Sequence, residues 1–197
     1  MAPEVDGVLL AGGCSCRAGF FKMTAPVGGM PLLLWGLESL AAVCSRVIVV
    51  AGHGADQVEE LVAGMRGVDL VVNRDFAAGM LSSVQAGVRR VRAGRFFLLP
   101  GDMPLVRAAV LRRLLETAQD AGIVVPACAG RRGHPVLLPA ALIPDIIAEP
   151  PDSNLGNIIR RGNSVVVEVD DPGVLADLDT PADLERIDAA LRARRRE

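Results

Sequence analysis

The segment GVLLAGGCSCRAGFFK, residues 7–22, joins a short apolar run to a loop that contains three glycines and ends in lysine. An apolar run of this length, followed directly by glycines, predicts a buried β-strand over residues 7–11 that ends in a tight loop. Ligands of open α/β sheets bind at the carboxyl ends of strands. The segment therefore predicts the first strand of a sheet and one wall of a binding site.

The rest of the chain alternates short apolar runs with amphipathic segments in the same way. This alternation is typical of βαβ units, and it predicts an α/β fold with a mostly parallel sheet. Further strands are predicted at 46–51, 68–72 and 96–99, from residues 123 and 136, and at 165–169. Helices are predicted at 32–42, 55–65, 80–91, 106–120, 142–148, 155–161 and 181–195. No repeat or low-complexity segment divides the chain, so we expect residues 1–197 to form a single domain.

The composition excludes several classes of protein. Hydrophobic residues make up 51% of the 197 residues and charged residues 22%, which is too apolar for a disordered chain. The formal net charge is -2, so no strong field attracts nucleic acid or an anionic membrane. Aromatic residues are only 3%, which argues against stacking platforms for single-stranded nucleic acid. We therefore expect no nucleic-acid partner.

The sequence also gives no sign of a membrane segment or an export signal. The longest uncharged stretch, residues 23–37, has 15 residues and contains two prolines, which makes it too short and too interrupted to cross a bilayer. The N-terminal MAPEVDG is acidic where an export signal would be basic. We therefore expect a cytoplasmic protein without a membrane partner.

The loop after the first strand has the chemistry of an anion site. Gly12, Gly13 and Gly19 let backbone amides approach a ligand closely, and successive amides form an anion-binding nest. Arg17 and Lys22 add positive charge, in a flexible loop where folding is not expected to need them. The pattern is neither a dinucleotide-binding G-x-G-x-x-G nor a P-loop. Its charge and its amides nevertheless suit a triphosphate.

A second loop carries a carboxylate at the same edge of the predicted sheet. Asp102 lies in LPGDMP, residues 99–104, at the end of an apolar strand, where a carboxylate is costly without a partner. Mg²⁺ is one such partner, because it binds carboxylate and phosphate oxygens together. A cap of the following helix is the alternative.

A third loop, VLADLDTP at residues 174–181, offers two more carboxylates. Asp177 and Asp179 are two residues apart, so they can lie on one side of an extended segment. One of them could complete the magnesium site. Asp179 or Thr180 is expected to cap the last helix ahead of Pro181.

These three loops resemble, in order and in spacing, those of the MobA-like nucleotidyltransferases. Two more segments carry the same resemblance: NRDFAAGMLSSV, residues 73–84, and GRRGHPV, residues 130–136. The second is similar to the Gly-His-Pro segment of the molybdenum cofactor cytidylyltransferase branch. The resemblance extends from residue 8 to about residue 184. It implies a Rossmann-like, three-layer fold of the nucleotide-diphospho-sugar transferase type.

The resemblance also implies an activity. The implied enzyme moves CMP from CTP to the terminal phosphate of a molybdopterin-type cofactor and releases pyrophosphate, with Mg²⁺ as its metal. The product would pass to a molybdoenzyme or to its maturation chaperone. Transfer from GTP to the same cofactor, and transfer to a sugar or alditol phosphate, are the enzymatic alternatives. A nucleotide-dependent chaperone that binds the cofactor without catalysis is the alternative from another class.

Individual residues receive roles from the same resemblance. Those that would bind the nucleotide are Leu10, Ala11, Gly12, Gly13, Ser15, Arg17, Lys22, Gly79, Ser82, Ser83 and Gly101. Arg17 and Lys22 would bind its phosphates and, with Asp102, support catalysis. Asp102 would ligate magnesium together with Asp177 or Asp179. His134 would lie near the pterin.

Two features bear on the choice of base. Gly12 matches the guanylyl branch, since the cytidylyl branch often has alanine there, whereas Gly-Asp-Met-Pro and Gly-His-Pro favour the cytidylyl branch. We therefore expect CTP rather than GTP.

The combination of Arg17, Lys22 and Asp102 favours catalysis over binding alone, because a binding module does not need a metal and two phosphate-binding cations.

Overall fold

The computed structural model describes residues 4–12, 21–118, 122–150 and 153–195. Within these ranges the strands are β1 (Val5–Ala11), β2 (Pro26–Val27), β3 (Met30–Pro31), β4 (Arg46–Ala51), β5 (Val68–Val72), β6 (Arg95–Pro100), β7 (Ile123–Cys128), β8 (Arg131–Arg132), β9 (Val136–Pro139) and β10 (Ser164–Glu168). The helices are α1 (Leu32–Ala41), α2 (Ala55–Val62), α3 (Met80–Val88), α4 (Ala108–Thr117), α5 (Ile143–Ala148), α6 (Leu155–Arg161) and α7 (Pro181–Arg194). Short 3₁₀ turns cover Lys22–Thr24, Phe76–Ala78, Ala140–Leu142 and Pro172–Leu175.

The large sheet has the strand order β10-β7-β9-β6-β1-β4-β5, and β8 pairs with β7. β1 lies between β4 and β6 and is parallel to both. The sheet is mostly parallel, as predicted, with β8 and β9 antiparallel to their neighbours. After β1 the chain builds outward through β4 and β5, and it then returns to the other side of β1 with β6. This reversal of strand order at β1 opens a crevice at the carboxyl edge of the sheet.

Helices cover both faces of the sheet, which explains why the strand sequences are continuous apolar runs. Leu9 and Ala11 of β1 belong to one core with α1, α2 and α4, whereas Val8 and Leu10 belong to the core under α3, α5 and α6. A smaller cluster around Trp35 joins α7 to the β2–β3 hairpin. The three-layer prediction is therefore confirmed. No helix in the described part of the chain is long and apolar enough to cross a membrane.

Several predicted boundaries were wrong by a few residues, and local backbone geometry gives the reason. α2 ends at Val62 rather than at residue 65, and Gly64 follows with a φ of +73°. α4 begins at Ala108 rather than at residue 106, because Arg107 is extended. The β2–β3 hairpin was not predicted; its two turn residues are glycines with φ of +62° and +91°.

An ion-pair cluster closes the opposite, amino edge of the sheet. Asp6, at the start of β1, is only 3% exposed. Its Oδ2 accepts from Arg46 Nη2 at 2.9 Å and from the backbone N–H groups of Arg92 and Ala93 at 2.7 and 3.2 Å. Arg46 also donates to Asp69 at 2.8 Å, so the cluster joins β1, β4 and β5. Burial alone would raise the pKa of Asp6, but the hydrogen bonds and the Arg46 charge outweigh it and lower that pKa below its ordinary value.

The substitution Asp6→Asn is expected to lower the free energy of unfolding at pH 7 by about 1.5–3 kcal/mol, the usual contribution of hydrogen bonds to a charged group. Because the pKa of Asp6 is lower in the folded chain, its contribution is present above the unfolded pKa and is lost as pH falls through the folded pKa. Urea unfolding of the wild type and the variant measures the difference. We expect that difference to shrink below about pH 4.

Asp69→Asn is the matched control for this prediction. The Asp69 side chain is 47% exposed, so its loss is expected to cost less than about 1 kcal/mol. If Asp6→Asn costs no more than Asp69→Asn, or if its cost is the same at every pH, the assigned role of Asp6 is wrong.

Candidate active site

The carboxyl edge of the sheet brings together the loops that follow β1 and β6 and the segment before α7. The backbone N–H of Leu178 donates to Asp102 O at 2.9 Å, and that of Gly101 donates to Leu10 O at 2.8 Å. A Cβ on Gly101 would lie only 2.8 Å from Leu10 O, so a larger residue would force the two strands apart. These contacts fix Asp102 in the crevice beside β1.

Lys22 connects these segments. It opens the 3₁₀ turn after the glycine loop and is only 7% exposed. Its Nζ donates to Asp102 Oδ2 at 2.7 Å, to Asp179 Oδ1 at 3.1 Å and to Leu178 O at 2.8 Å. The expectation of a flexible loop that folding does not need is therefore wrong for Lys22. Its ammonium is buried, because two carboxylates and a carbonyl offset its loss of water.

The contacts of Lys22 with Asp102 and Asp179 also determine its charge. Burial opposes the positive charge of Lys22, but the hydrogen bonds and charges of Asp102 and Asp179 outweigh burial and raise the pKa of Lys22 above its ordinary value. Lys22 is thus fully charged at neutral pH. One cation and two carboxylates in contact form a fixed polar centre, of the kind that stabilises charge on transferring groups.

The two carboxylates of the third loop differ in position. Asp179 faces Lys22, whereas Asp177 is exposed and its charge acts on His134. In the described ranges, no group of three or more His, Cys, Asp or Glu side chains lies close enough to hold a metal ion. Lys22 therefore joins Asp102 to Asp179, whereas Asp177 shares with Asp102 an electrostatic effect on His134.

Of the residues that could cap a helix at this edge, Thr180 does so, whereas Asp179 and Asp102 do not. Thr180 caps α7: its Oγ1 accepts from the Asp183 N–H at 3.2 Å, and the Asp183 carboxylate accepts from the Thr180 N–H at 3.0 Å. Asp179 is therefore not the cap. Asp102 does not cap α4 either, because that helix begins only at Ala108.

His134 lies at the carboxyl edge of the sheet, as Lys22, Asp102 and Asp179 do. It precedes a cis peptide bond to Pro135, and its backbone N–H donates to Val174 O at 2.9 Å. Burial lowers the pKa of the imidazole below its ordinary value, although the charges of Asp102 and Asp177 act in the opposite direction. At neutral pH the ring is therefore uncharged, with one nitrogen that donates and one that accepts.

α3 begins close to Gly12, at the end of β1. A Cβ on Gly12 would lie 3.1 Å from Ser83 Oγ, so Ser83 borders this glycine. Asn73 Nδ2 donates to Ser82 Oγ at 2.9 Å and to Ser83 Oγ at 3.0 Å. Gly79, just before the helix, is exposed with a φ of +106°. Asn73 was not predicted as a site residue; a polar amide directly after a predicted strand was the available signal.

Phe21 anchors the end of the glycine loop immediately before Lys22. Its ring centroid is 5.9 Å from that of His53, in an edge-on arrangement. A Cβ on Gly54 would come within 2.9 Å of the Phe21 ring, so the ring packs directly on this glycine. The contact fixes the backbone from which Lys22 reaches the carboxylates.

The remaining predicted nucleotide-binding residues fall into two groups. Leu10 and Ala11 form the buried end of β1, and Leu10 contributes its carbonyl to the contact with Gly101. Gly13, Ser15 and Arg17 lie outside the described residues, so their roles stay predictions.

Comparison with known proteins gives consistent results. Residues 7–166 match the model of the MobA-like NTP transferase domain. The chain is 30% identical over 179 residues to the molybdenum cofactor cytidylyltransferase of Escherichia coli (strain K12), over 91% of this chain and 93% of that protein. A solved nucleotidyl transferase from Methanothermobacter is 25% identical, with a TM-score of 0.85 over 97% of this chain and 99% of that one. The Mycobacterium tuberculosis protein Rv0371c, solved as a complex with manganese, is 25% identical, with a TM-score of 0.76 over 95% and 99%.

The substitution Lys22→Met keeps a long buried side chain but removes the charge that Asp102 and Asp179 share. We expect it to lower the free energy of unfolding at pH 7 by about 1.5–3 kcal/mol, because it removes the charged hydrogen bonds to Asp102 and Asp179, whose side chains are 22% and 40% exposed. Since the pKa of Lys22 is raised on folding, its contribution is fully present below the unfolded pKa and is lost as pH rises through the folded pKa. Urea unfolding measures the loss, and adding Asp102→Asn should restore part of it.

Arg113→Met is the control, because it removes an exposed cation from an ion pair with Glu116 at 3.6 Å. That pair is expected to contribute less than about 0.5 kcal/mol. Equal losses for Lys22→Met and Arg113→Met would contradict the role of Lys22 in joining the three segments.

Proposed function

Because the chain belongs to the MobA-like NTP transferase family, we propose that it transfers CMP from CTP to the terminal phosphate of a molybdopterin-type cofactor and releases pyrophosphate. The observation that carries this proposal is the contact of Lys22 with Asp102 and Asp179 at the carboxyl edge. Transfer between phosphates needs a cation for phosphate oxygens and carboxylates for a metal, and little covalent chemistry. The Gly-Asp-Met-Pro and Gly-His-Pro segments support CTP, as does the likeness to the Escherichia coli cytidylyltransferase.

The proposed reaction is a direct displacement at phosphorus. An oxygen of the cofactor's terminal phosphate attacks the α-phosphorus of CTP and forms a new P–O bond. The bond between the α-phosphorus and the bridging oxygen to the β-phosphorus breaks, and pyrophosphate leaves with the electron pair. No side-chain nucleophile is needed, so the chain's task is to align two anionic substrates and to neutralise their charge.

Lys22 and Arg17 supply this positive charge in the proposal. Lys22 is held at the crevice by its carboxylate partners, and its raised pKa keeps it charged when an anionic ligand arrives. The backbone amides of Gly12 and Gly13, with Ser15, would hold the nucleotide, and Gly79, Ser82 and Ser83 would border it from α3. These groups would hold the nucleotide in the geometry needed for attack, and such alignment is the main contribution to the rate in this class of reaction.

Asp102 and Asp179 fit a magnesium ion. Their oxygens converge on one cation, Lys22 Nζ, at 2.7 and 3.1 Å. Mg²⁺ is commonly bound by one or two carboxylates together with substrate phosphates and water, so two carboxylates are enough. When bound, the ion would neutralise charge on the phosphate oxygens. The manganese complex of a similar protein supports a divalent ion here.

The acceptor is proposed to lie on the His134 side of Asp102. A neutral imidazole offers one donor and one acceptor to a pterin ring without adding charge.

We propose that the chain works as one domain in the cytoplasm and passes its product to a molybdoenzyme or to its maturation chaperone. GTP is the second candidate for the nucleotide, because Gly12 favours it.

Pyrophosphate release from each of the four NTPs, with the molybdenum cofactor as acceptor, tests the proposed activity. We expect turnover with CTP and a lower kcat/KM with GTP, as measured in one competition assay. A preference for GTP would overturn the cytidylyl assignment and leave the transfer reaction intact. Tight nucleotide binding without any pyrophosphate release would favour the non-catalytic chaperone.

Binding of Mn²⁺ in the presence of CTP, followed by electron paramagnetic resonance, tests the metal ligands. Asp102→Asn and Asp179→Asn are expected to weaken Mn²⁺ binding by about tenfold or more, and Asp177→Asn by less, because only the first two carboxylates face one cation. Asp102→Asn should also lower turnover by at least about 100-fold. Asp145→Asn should behave like the wild type, because Asp145 is an exposed residue of α5. A larger loss for Asp177→Asn than for Asp179→Asn would exchange their roles.

A further inference from the structure

Asn73 is a buried amide at the end of β5, only 6% exposed. Its Oδ1 accepts from the backbone N–H of Asp75 at 3.0 Å. A backbone N–H can only donate, so this contact fixes which end of the amide is oxygen and which is nitrogen. Nδ2 therefore faces the serines of α3 and donates to Ser82 Oγ at 2.9 Å and to Ser83 Oγ at 3.0 Å. Both serine oxygens act as acceptors, and both hydroxyl hydrogens must point elsewhere.

The two serines differ in where those hydrogens can go. Ser82 Oγ lies 2.8 Å from Gly79 O and 3.0 Å from Asp75 O, so its hydrogen is used within the backbone turn. Ser83 is only 5% exposed, and no residue in the described ranges accepts its hydrogen. A buried hydroxyl that accepts but does not donate is energetically unfavourable. Ser83 is therefore ready to donate one hydrogen bond.

The position of this donor follows from how α3 packs on the sheet. A Cβ on Gly87 would lie 2.7 Å from the side chains of Val8 and Val50, so the helix is in close contact with β1 and β4. Ser83, one turn earlier, has its Oγ 3.1 Å from where a Cβ on Gly12 would be. Because Gly12 has no side chain, no Cβ on that residue crowds the Ser83 hydroxyl.

We propose that Asn73 is a positioning residue for the nucleotide site: it makes the Ser83 hydroxyl an acceptor towards the protein, and thereby directs the Ser83 hydrogen to an oxygen of the nucleotide held against Gly12. This inference rests on the proposed function, since it takes the loop after β1 as the nucleotide site. It assigns different roles to two neighbouring serines, because Ser82 supports the turn and Ser83 contacts the ligand.

The variant Asn73→Asp tests the polarity of this network, because a carboxylate has the shape of the amide but can only accept. Ser83 would then donate to residue 73, and its hydrogen would no longer reach the nucleotide. Ser83→Ala removes the donor altogether. Each variant is expected to raise the Kd of CTP, measured calorimetrically without acceptor, by about threefold to tenfold, the loss of one hydrogen bond.

The double variant distinguishes this mechanism from simple charge repulsion by the new carboxylate. If the change from donor to acceptor at residue 73 causes the weaker binding, Asn73→Asp has little further effect on the Kd of CTP once the Ser83 hydroxyl is removed. The double variant then binds CTP about as well as Ser83→Ala alone. If repulsion is the cause, Asn73→Asp weakens binding equally in both backgrounds, and the proposal is overturned. It is overturned as well if Ser83→Ala binds CTP like the wild type.

Ser39→Ala is the matched control. Ser39 is a buried serine of α1 whose Oγ donates to Val106 O at 2.8 Å, on the other face of the sheet. It should leave the Kd of CTP within twofold of the wild-type value, and thermal unfolding should show every variant folded. A wild-type chain that binds neither CTP nor GTP would contradict the proposed function itself, which separates that failure from a failure of the Asn73 network.

Discussion

The Lys22 ammonium touches Asp102, Asp179 and the carbonyl of Leu178, and these partners are 80, 157 and 156 residues away in the sequence. A buried ammonium is stable only when it is paired, and the partly exposed carboxylates of Asp102 and Asp179 supply that pairing. The glycine loop, the end of β6 and the segment before α7 must therefore meet at one point. The mutual contact of these charges fixes the distances between individual atoms of the three segments at the crevice.

Under the proposed function, the same residues have both a structural and a chemical role. The groups that hold the loops together are the cation and the carboxylates that a transfer between phosphates requires. A divalent ion that binds Asp102 and Asp179 competes with Lys22 for them, so a ligand that draws the ammonium away favours the metal. Phosphate oxygens are such a ligand. Nucleotide and metal are thus expected to assist each other's binding.

Much of the fold could be predicted from the sequence, because strands covered on both faces are continuous apolar runs that local composition reveals. The direction of β9 could not, since a short apolar run is the same in either direction. The burial of Lys22 depends on a partner 157 residues away, which no local pattern encodes. Asp179 and Thr180 are both good caps, and only the folded contacts of Thr180 with Asp183 and of Asp179 with Lys22 distinguish their roles. Asn73 was missed because an asparagine after a strand is most simply a turn residue.

The central claim, that Lys22, Asp102 and Asp179 form the reaction centre, is tested most directly by a crystal structure with CTP and Mn²⁺ measured at the manganese absorption edge. The account predicts an anomalous peak bonded to Asp102 and Asp179, with Lys22 Nζ moved from at least one carboxylate to a phosphate oxygen. A nucleotide and a manganese ion bound elsewhere, with Lys22 still bridging both carboxylates, would contradict it.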